Sequence, residues 1–206
     1  SSAASDVYKR QMINRRFTLI YANMSTVEAA ILDCYKTDVK ILKIQNAPLE
    51  VHLEKPIPYN DRITKITLWQ PKNASGTVLF GNQYDGFDVL GHILRNQYKL
   101  ELTRIAISCN IESEEDDYAP FYKFEHLYAD GRNRYVRVMW DNRWDFYENG
   151  EPMPFEQTEK YQQKIRSKRL TNDMVLDYAK ALGWDLRDPC FWESDKNAWY
   201  ITYEFV

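Results

Sequence analysis

Histidine is nearly missing from this sequence: His52, His92 and His126 are the only three, and no two stand at ligand spacing. With neither HExxH nor paired histidines, a histidine-rich metal centre is not expected. Cys34, Cys109 and Cys190 are odd in number and scattered, and no CxxC occurs. That pattern fits buried, reduced thiols in a cytoplasmic protein better than a disulfide framework or a zinc site. GxSxG, GxGxxG and GxxxxGK[ST] are all missing, so the common acyl-transfer and phosphate-cradling signatures are not there to be read. No apolar run approaches the ~20 residues of a membrane-spanning helix. Basic excess is lacking too: 27 Lys and Arg face 30 Asp and Glu, a net charge of −3. Nucleic-acid-binding domains usually lean basic, so nucleic acid is not the expected partner.

Aromatic residues, by contrast, are plentiful, at 15% of the chain, with 15 Tyr and 6 Trp. They bury much area per residue and favour strands, which points to a sheet-containing core. A length of 206 residues supports one substantial core or two small ones.

Residues 1–11, SSAASDVYKRQ, resemble the translation of a transposase adapter used to prepare sequencing libraries. The resemblance implies a non-native tail, an assembled metagenome as the source and a body that runs from Met12 to Val206, with a subdivision considered near 110–120.

Along that body, RFTLIYA (16–22), VKILKIQ (39–45), LEVHL (49–53), RITKITLW (62–69), TVLF (77–80) and LELTRIAISC (100–109) read as strands. Ser25 and Glu28 have capping-box spacing ahead of one helix, and Asp85 is placed to cap a second over Phe87–Tyr98. The stretch Arg134–Trp184 is the most legible. Phe121–Tyr128, Arg134–Met139 and Trp144–Tyr147 alternate around short turns and predict a three-stranded antiparallel meander. Pro152 and Pro154 then break the chain. A basic helix is expected over Glu156–Lys168, with Tyr161 and Ile165 inward, and a second helix capped by Thr171 or Asn172 and ended by Gly183. AWYITYEF (198–205) closes as a strand. The expected fold is α+β: mixed or mainly antiparallel sheet with about four helices packed on its faces.

Two charged stretches are candidate partner-binding surfaces. Glu112, Glu114, Glu115, Asp116 and Asp117 repel one another and must be solvated, as a plain connector or as a lure for a basic partner. Lys160, Lys164, Arg166, Lys168 and Arg169 line the expected basic helix, as a solvated face or as an anion-binding one. A grouping of Arg134, Arg137, Arg143 and Glu148 is explained by cross-strand ion pairing. No catalytic constellation and no cofactor motif emerges.

At Trp144–Glu151 (WDFYENGE), Phe155, Glu156, Tyr161, Lys168–Leu170 and Tyr178–Gly183 the chain resembles small bacterial immunity proteins encoded beside polymorphic toxins. That resemblance implies cytoplasmic residence, no cofactor and a toxin as protein partner. The leading expectation is therefore a non-enzymatic protein-binding module. A carboxylate- or cysteine-dependent hydrolase or transferase using Cys109 or Cys190, and nucleic-acid binding through 160–169, stand as alternatives.

Overall fold

The computed structural model describes residues 15–36, 39–49, 62–83, 87–108 and 120–205. Among the described residues nine segments form strands: β1 Arg15–Ile20, β2 Val39–Ala47, β3 Ile63–Trp69, β4 Thr77–Gly81, β5 Leu102–Ile107, β6 Phe121–Leu127, β7 Asn133–Trp140, β8 Trp144–Asn149 and β9 Ala198–Phe205. They form one sheet in the order β2-β9-β3-β4-β1-β5-β6-β7-β8. Every neighbouring pair is antiparallel. Among the described residues four α-helices complete the α+β fold: α1 Met24–Cys34, α2 Asp88–Tyr98, the single turn α3 Thr158–Tyr161 and α4 Asn172–Ala181. None of these is long and apolar enough to cross a membrane.

Strand alternation sorts the core onto the two faces of the sheet. Phe17, Leu19, Ile105, Ile107, Phe124, Val136 and Val138 pack on one face against α4 and the segment Trp184–Trp192. Ile20, Ile66, Leu68, Leu102, Trp199 and Ile201 pack on the other, under Val27 and Ile31 of α1 and Leu90 and Leu94 of α2. β5 is covered on both sides, with all six residues buried, although Thr103 and Arg104 interrupt the continuous apolar run that such a strand usually shows. The strands on either side of 109–119 are sheet neighbours, Ile105 standing opposite Phe124.

The meander is seen as expected, and so is the closing strand, which inserts between β2 and β3. Thr171 caps α4 by accepting from the Met174 amide, and Gly183 ends it at φ 92°, a conformation that costs glycine little. Four readings need correction or fall elsewhere. The α1 cap is Asn23, whose Oδ1 accepts from the Thr26 amide at 2.9 Å, so Ser25 lies inside the first turn. Asp85 and most of the 49–53 run lie outside the described residues. The basic helix Glu156–Lys168 is not formed: α3 stops at Tyr161, and a 3-10 turn covers Arg166–Lys168. Only Tyr161 of its two inward residues is buried, while Ile165 is 54% exposed. One apolar anchor cannot pin three turns of helix that have little stability alone.

Candidate partner-binding surface

The outer rim of the sheet, at β7 and β8, is built from the turn that joins them. Asn142 adopts a left-handed φ of 54°, which asparagine tolerates better than most residues. That turn sets Trp140 opposite Trp144 in register. Their rings meet edge to face with centroids 5.5 Å apart. Trp144 in turn lies parallel to Tyr122 of β6 at 6.3 Å. The row ends in solvent: Trp140 is 41% exposed. On the opposite face Arg137 lies over the exposed ring of Tyr147 at 5.7 Å.

The segment after the proline corner borders this row. Arg166 Nη1 donates to the Trp144 carbonyl at 3.3 Å, and Arg169 lies over the Phe146 ring while its Nε donates to the Gln163 carbonyl. Lys164, Ile165, Arg166 and Lys168 are exposed, and Lys160 and Arg169 are half-buried. With exposed Arg143 in the turn, the rim carries an excess of positive charge over its neighbours Asp141 and Asp145. Of the predicted basic residues, Arg166 and Arg169 are brought against β8, Lys160 lies in α3, and Lys164 and Lys168 are exposed in the segment that follows it. Glu112, Glu114, Glu115, Asp116 and Asp117 lie outside the described residues.

What fixes this irregular segment is a buried polar cluster. Arg134 donates to Glu156 through Nε and Nη2, at 2.9 and 2.7 Å, and to Glu148 at 2.8 Å. Burial works against the Arg134 charge, but hydrogen bonds to Glu156 and Glu148 outweigh it and raise its pKa. Tyr161 donates to Glu156, and burial pushes its own pKa far up. Of the expected arginine grouping, Arg134 and Glu148 pair as foreseen, Arg137 turns to Asp145 on the other face, and Arg143 stays exposed.

A second ionic cluster lies on the opposite sheet face under α2. Arg104 reaches Glu125 through Nε at 2.9 Å and Asp88 through Nη1 at 2.9 Å. Lys123 donates to Asp88 at 3.1 Å. Desolvation, and then the neighbouring Arg104 charge, depress the Lys123 pKa. Opposed charges account for this group without catalysis. The cysteine candidates do not join it. Cys109 lies outside the described residues. Cys190 is exposed, and the Asp188 charge beside it raises its thiol pKa, the reverse of what activates a nucleophile. A groove of about 560 Å³ beside α1 is lined by Ala29, Asp33, Tyr98 and their neighbours and brings none of the predicted residues together. Among the described residues no three His, Cys, Asp or Glu converge as metal ligands.

Trp140, Trp144 and Ile165 were the members of this surface that composition did not reveal. For the two tryptophans the visible signal is one on each side of a three-residue turn. No family model, curated protein or solved structure matches the chain.

Proposed function

We propose that this is a non-enzymatic protein-binding module, and in its most concrete form a cytoplasmic immunity protein that binds and neutralises a bacterial toxin. The observation that carries the reading is the Trp140–Trp144 pair, half-buried at Trp144 and exposed at Trp140, with Arg166 against the Trp144 carbonyl and Lys164 and Lys168 exposed in the same segment as Arg166. Interface hot spots concentrate Trp, Tyr and Arg around a site that a partner can desolvate. Trp140 presents a large apolar area, and the bordering cations favour an acidic partner surface and speed its encounter. The sequence resemblance to immunity proteins supports the same class, and its residues Trp144, Phe146, Glu156, Tyr161 and Tyr178 are those that build and brace this rim.

The test is co-expression with any toxin found encoded beside this gene, with growth rescue and calorimetric affinity as readouts. Rescue is expected, with Trp140→Ala and Arg166→Glu each weakening binding by about 2 kcal/mol or more. A chain that neither rescues growth nor binds any neighbouring gene product overturns the reading. The same surface has one competitor, since aromatic rows flanked by cations also stack single-stranded nucleic acid. Tight binding of a labelled oligonucleotide that collapses with added salt would move the rim to that class.

A further inference from the structure

The opposite rim of the sheet carries a different kind of surface. β2 is an edge strand whose one sheet neighbour among the described residues is β9. Its nine residues run ~30 Å at the usual strand rise. The pairing places Ile41 opposite Tyr203 and Ile44 opposite Ile201, on the face that α1 and α2 cover further in. Lys40 opposes Glu204 and Lys43 opposes Thr202 on the other face. A bulge between Ile41 and Lys43 leaves Leu42 without a register partner. Ile41, Leu42 and Ile44 are 42%, 42% and 47% exposed. The edge therefore offers an outer side with no sheet partner among the described residues, an apolar shelf on one face and lysines on the other.

Lysines and bulges blunt an edge against indiscriminate pairing. In the symmetric antiparallel register centred between Ile41 and Leu42, Lys40 of one copy would stand against Lys43 of the other on the same face. Like charges directly opposed destabilise a strand pair. A foreign strand with a carboxylate opposite Lys43 meets the reverse situation, because Lys43 is exposed, whereas Lys40 on the same side already pairs with Glu204 at 3.0 Å.

We propose that β2 is a strand-addition site for an extended segment of a partner protein that alternates apolar and acidic residues. Its main chain would extend the sheet, its apolar side chains would cover Ile41, Leu42 and Ile44, and its carboxylates would face Lys43. The site lies at the far end of the sheet from Trp140, so the two surfaces are separable by mutation.

The experiment uses the full chain and three fluorescein-labelled synthetic peptides: one alternating valine and glutamate, one alternating valine and lysine, and the first N-methylated along both edges so that it cannot pair. Saturable binding of the valine–glutamate peptide is expected, with slowed amide exchange in β2. The other two peptides bind at least about tenfold more weakly. Ile44→Lys weakens the first peptide by about tenfold, Lys43→Glu reverses the preference between the two charged peptides, and Trp140→Ala changes neither. No saturable binding, equal binding of all three peptides, or binding lost in Trp140→Ala but kept in Ile44→Lys overturns the proposal. So does self-association in sedimentation that Ile44→Lys abolishes, because the edge would then belong to a second copy.

Discussion

Glu156 clamps Arg134 from beneath the sheet: Oε1 accepts Nε at 2.9 Å and Oε2 accepts Nη2 at 2.7 Å, with both side chains almost wholly buried. The same Oε1 takes the Met153 amide, so one carboxylate ties a strand of the meander to the proline corner that follows it. Tyr178 of α4 joins from the other side, its hydroxyl 3.0 Å from that of Tyr161 and accepting the Gln157 amide. The rim proposed to bind a partner therefore rests on this clamp, although no clamp residue contacts solvent freely.

Removing one half of such a pair leaves a buried charge behind. Glu156→Ala is expected to cost about 3–5 kcal/mol of stability, because Arg134 keeps only Glu148 and two carbonyls. Replacing both, as Arg134→Met with Glu156→Leu, is expected to cost clearly less than Glu156→Ala alone. Urea unfolding of the three proteins checks this, and a double variant less stable than the single one contradicts it.

His126 makes stability depend on pH. Its ring nitrogens sit 2.8 Å from Thr103 Oγ1 and 3.2 Å from Glu101, and the rings of Tyr21 and Tyr128 pack edge-on against it. Desolvation depresses its pKa despite the pull of Glu101. Above the unfolded value of about 6.5 both states are neutral and the contribution is whole. As pH falls through that value the unfolded chain binds a proton that the folded chain refuses, so stability is lost on the acid side. Urea midpoints between about pH 7.5 and pH 5.5 should fall more steeply for the wild type than for His126→Gln. Parallel slopes would show that another group is responsible.

Local pattern carried the fold further than the site. Each strand of the meander was legible because Val136 and Val138 alternate with Tyr135 and Arg137, and period-two alternation is a property of neighbours in sequence. β5 was legible as a strand but not as a doubly covered one, since that depends on α2 and α4 packing from opposite sides. The failed helix over 156–168 marks the limit. Its charges and propensities suit a helix, yet Glu156 and Tyr161 are taken by Arg134 and Tyr178, contacts that no window of sequence contains. The basic residues of the rim were found because exposure of a charge run follows from repulsion and hydration. The exposure of Trp140 was not legible, because it follows from sheet order, which places β8 at an edge.

The cluster under α2 separates a charge that holds the fold from one that burdens it. Glu125 answers two buried cations, accepting from Arg104 at 2.9 Å and lying 3.5 Å from Lys123. Glu125→Met leaves both cations with only half-exposed Asp88 and should cost about 3–5 kcal/mol. Lys123→Met does the opposite: Arg104 still contacts both carboxylates, and a desolvated ammonium is replaced by an apolar chain of similar length. Its stability near pH 7 should lie within about 1 kcal/mol of the wild type or above it. The pH dependence distinguishes relief of that burden from mere tolerance. Because the folded Lys123 pKa lies below the unfolded value of about 10.4, the unfolded chain binds more protons as that range is approached, and the Lys123 contribution to stability rises with pH. Buried tyrosines with raised pKa values, Tyr21 and Tyr135 among them, slope the other way in both proteins. The difference between wild type and Lys123→Met should therefore move in favour of the wild type from about pH 7 to about pH 9.5. A constant difference across that range would mean that Lys123 keeps its proton in the folded chain and that the cluster tolerates it at full charge.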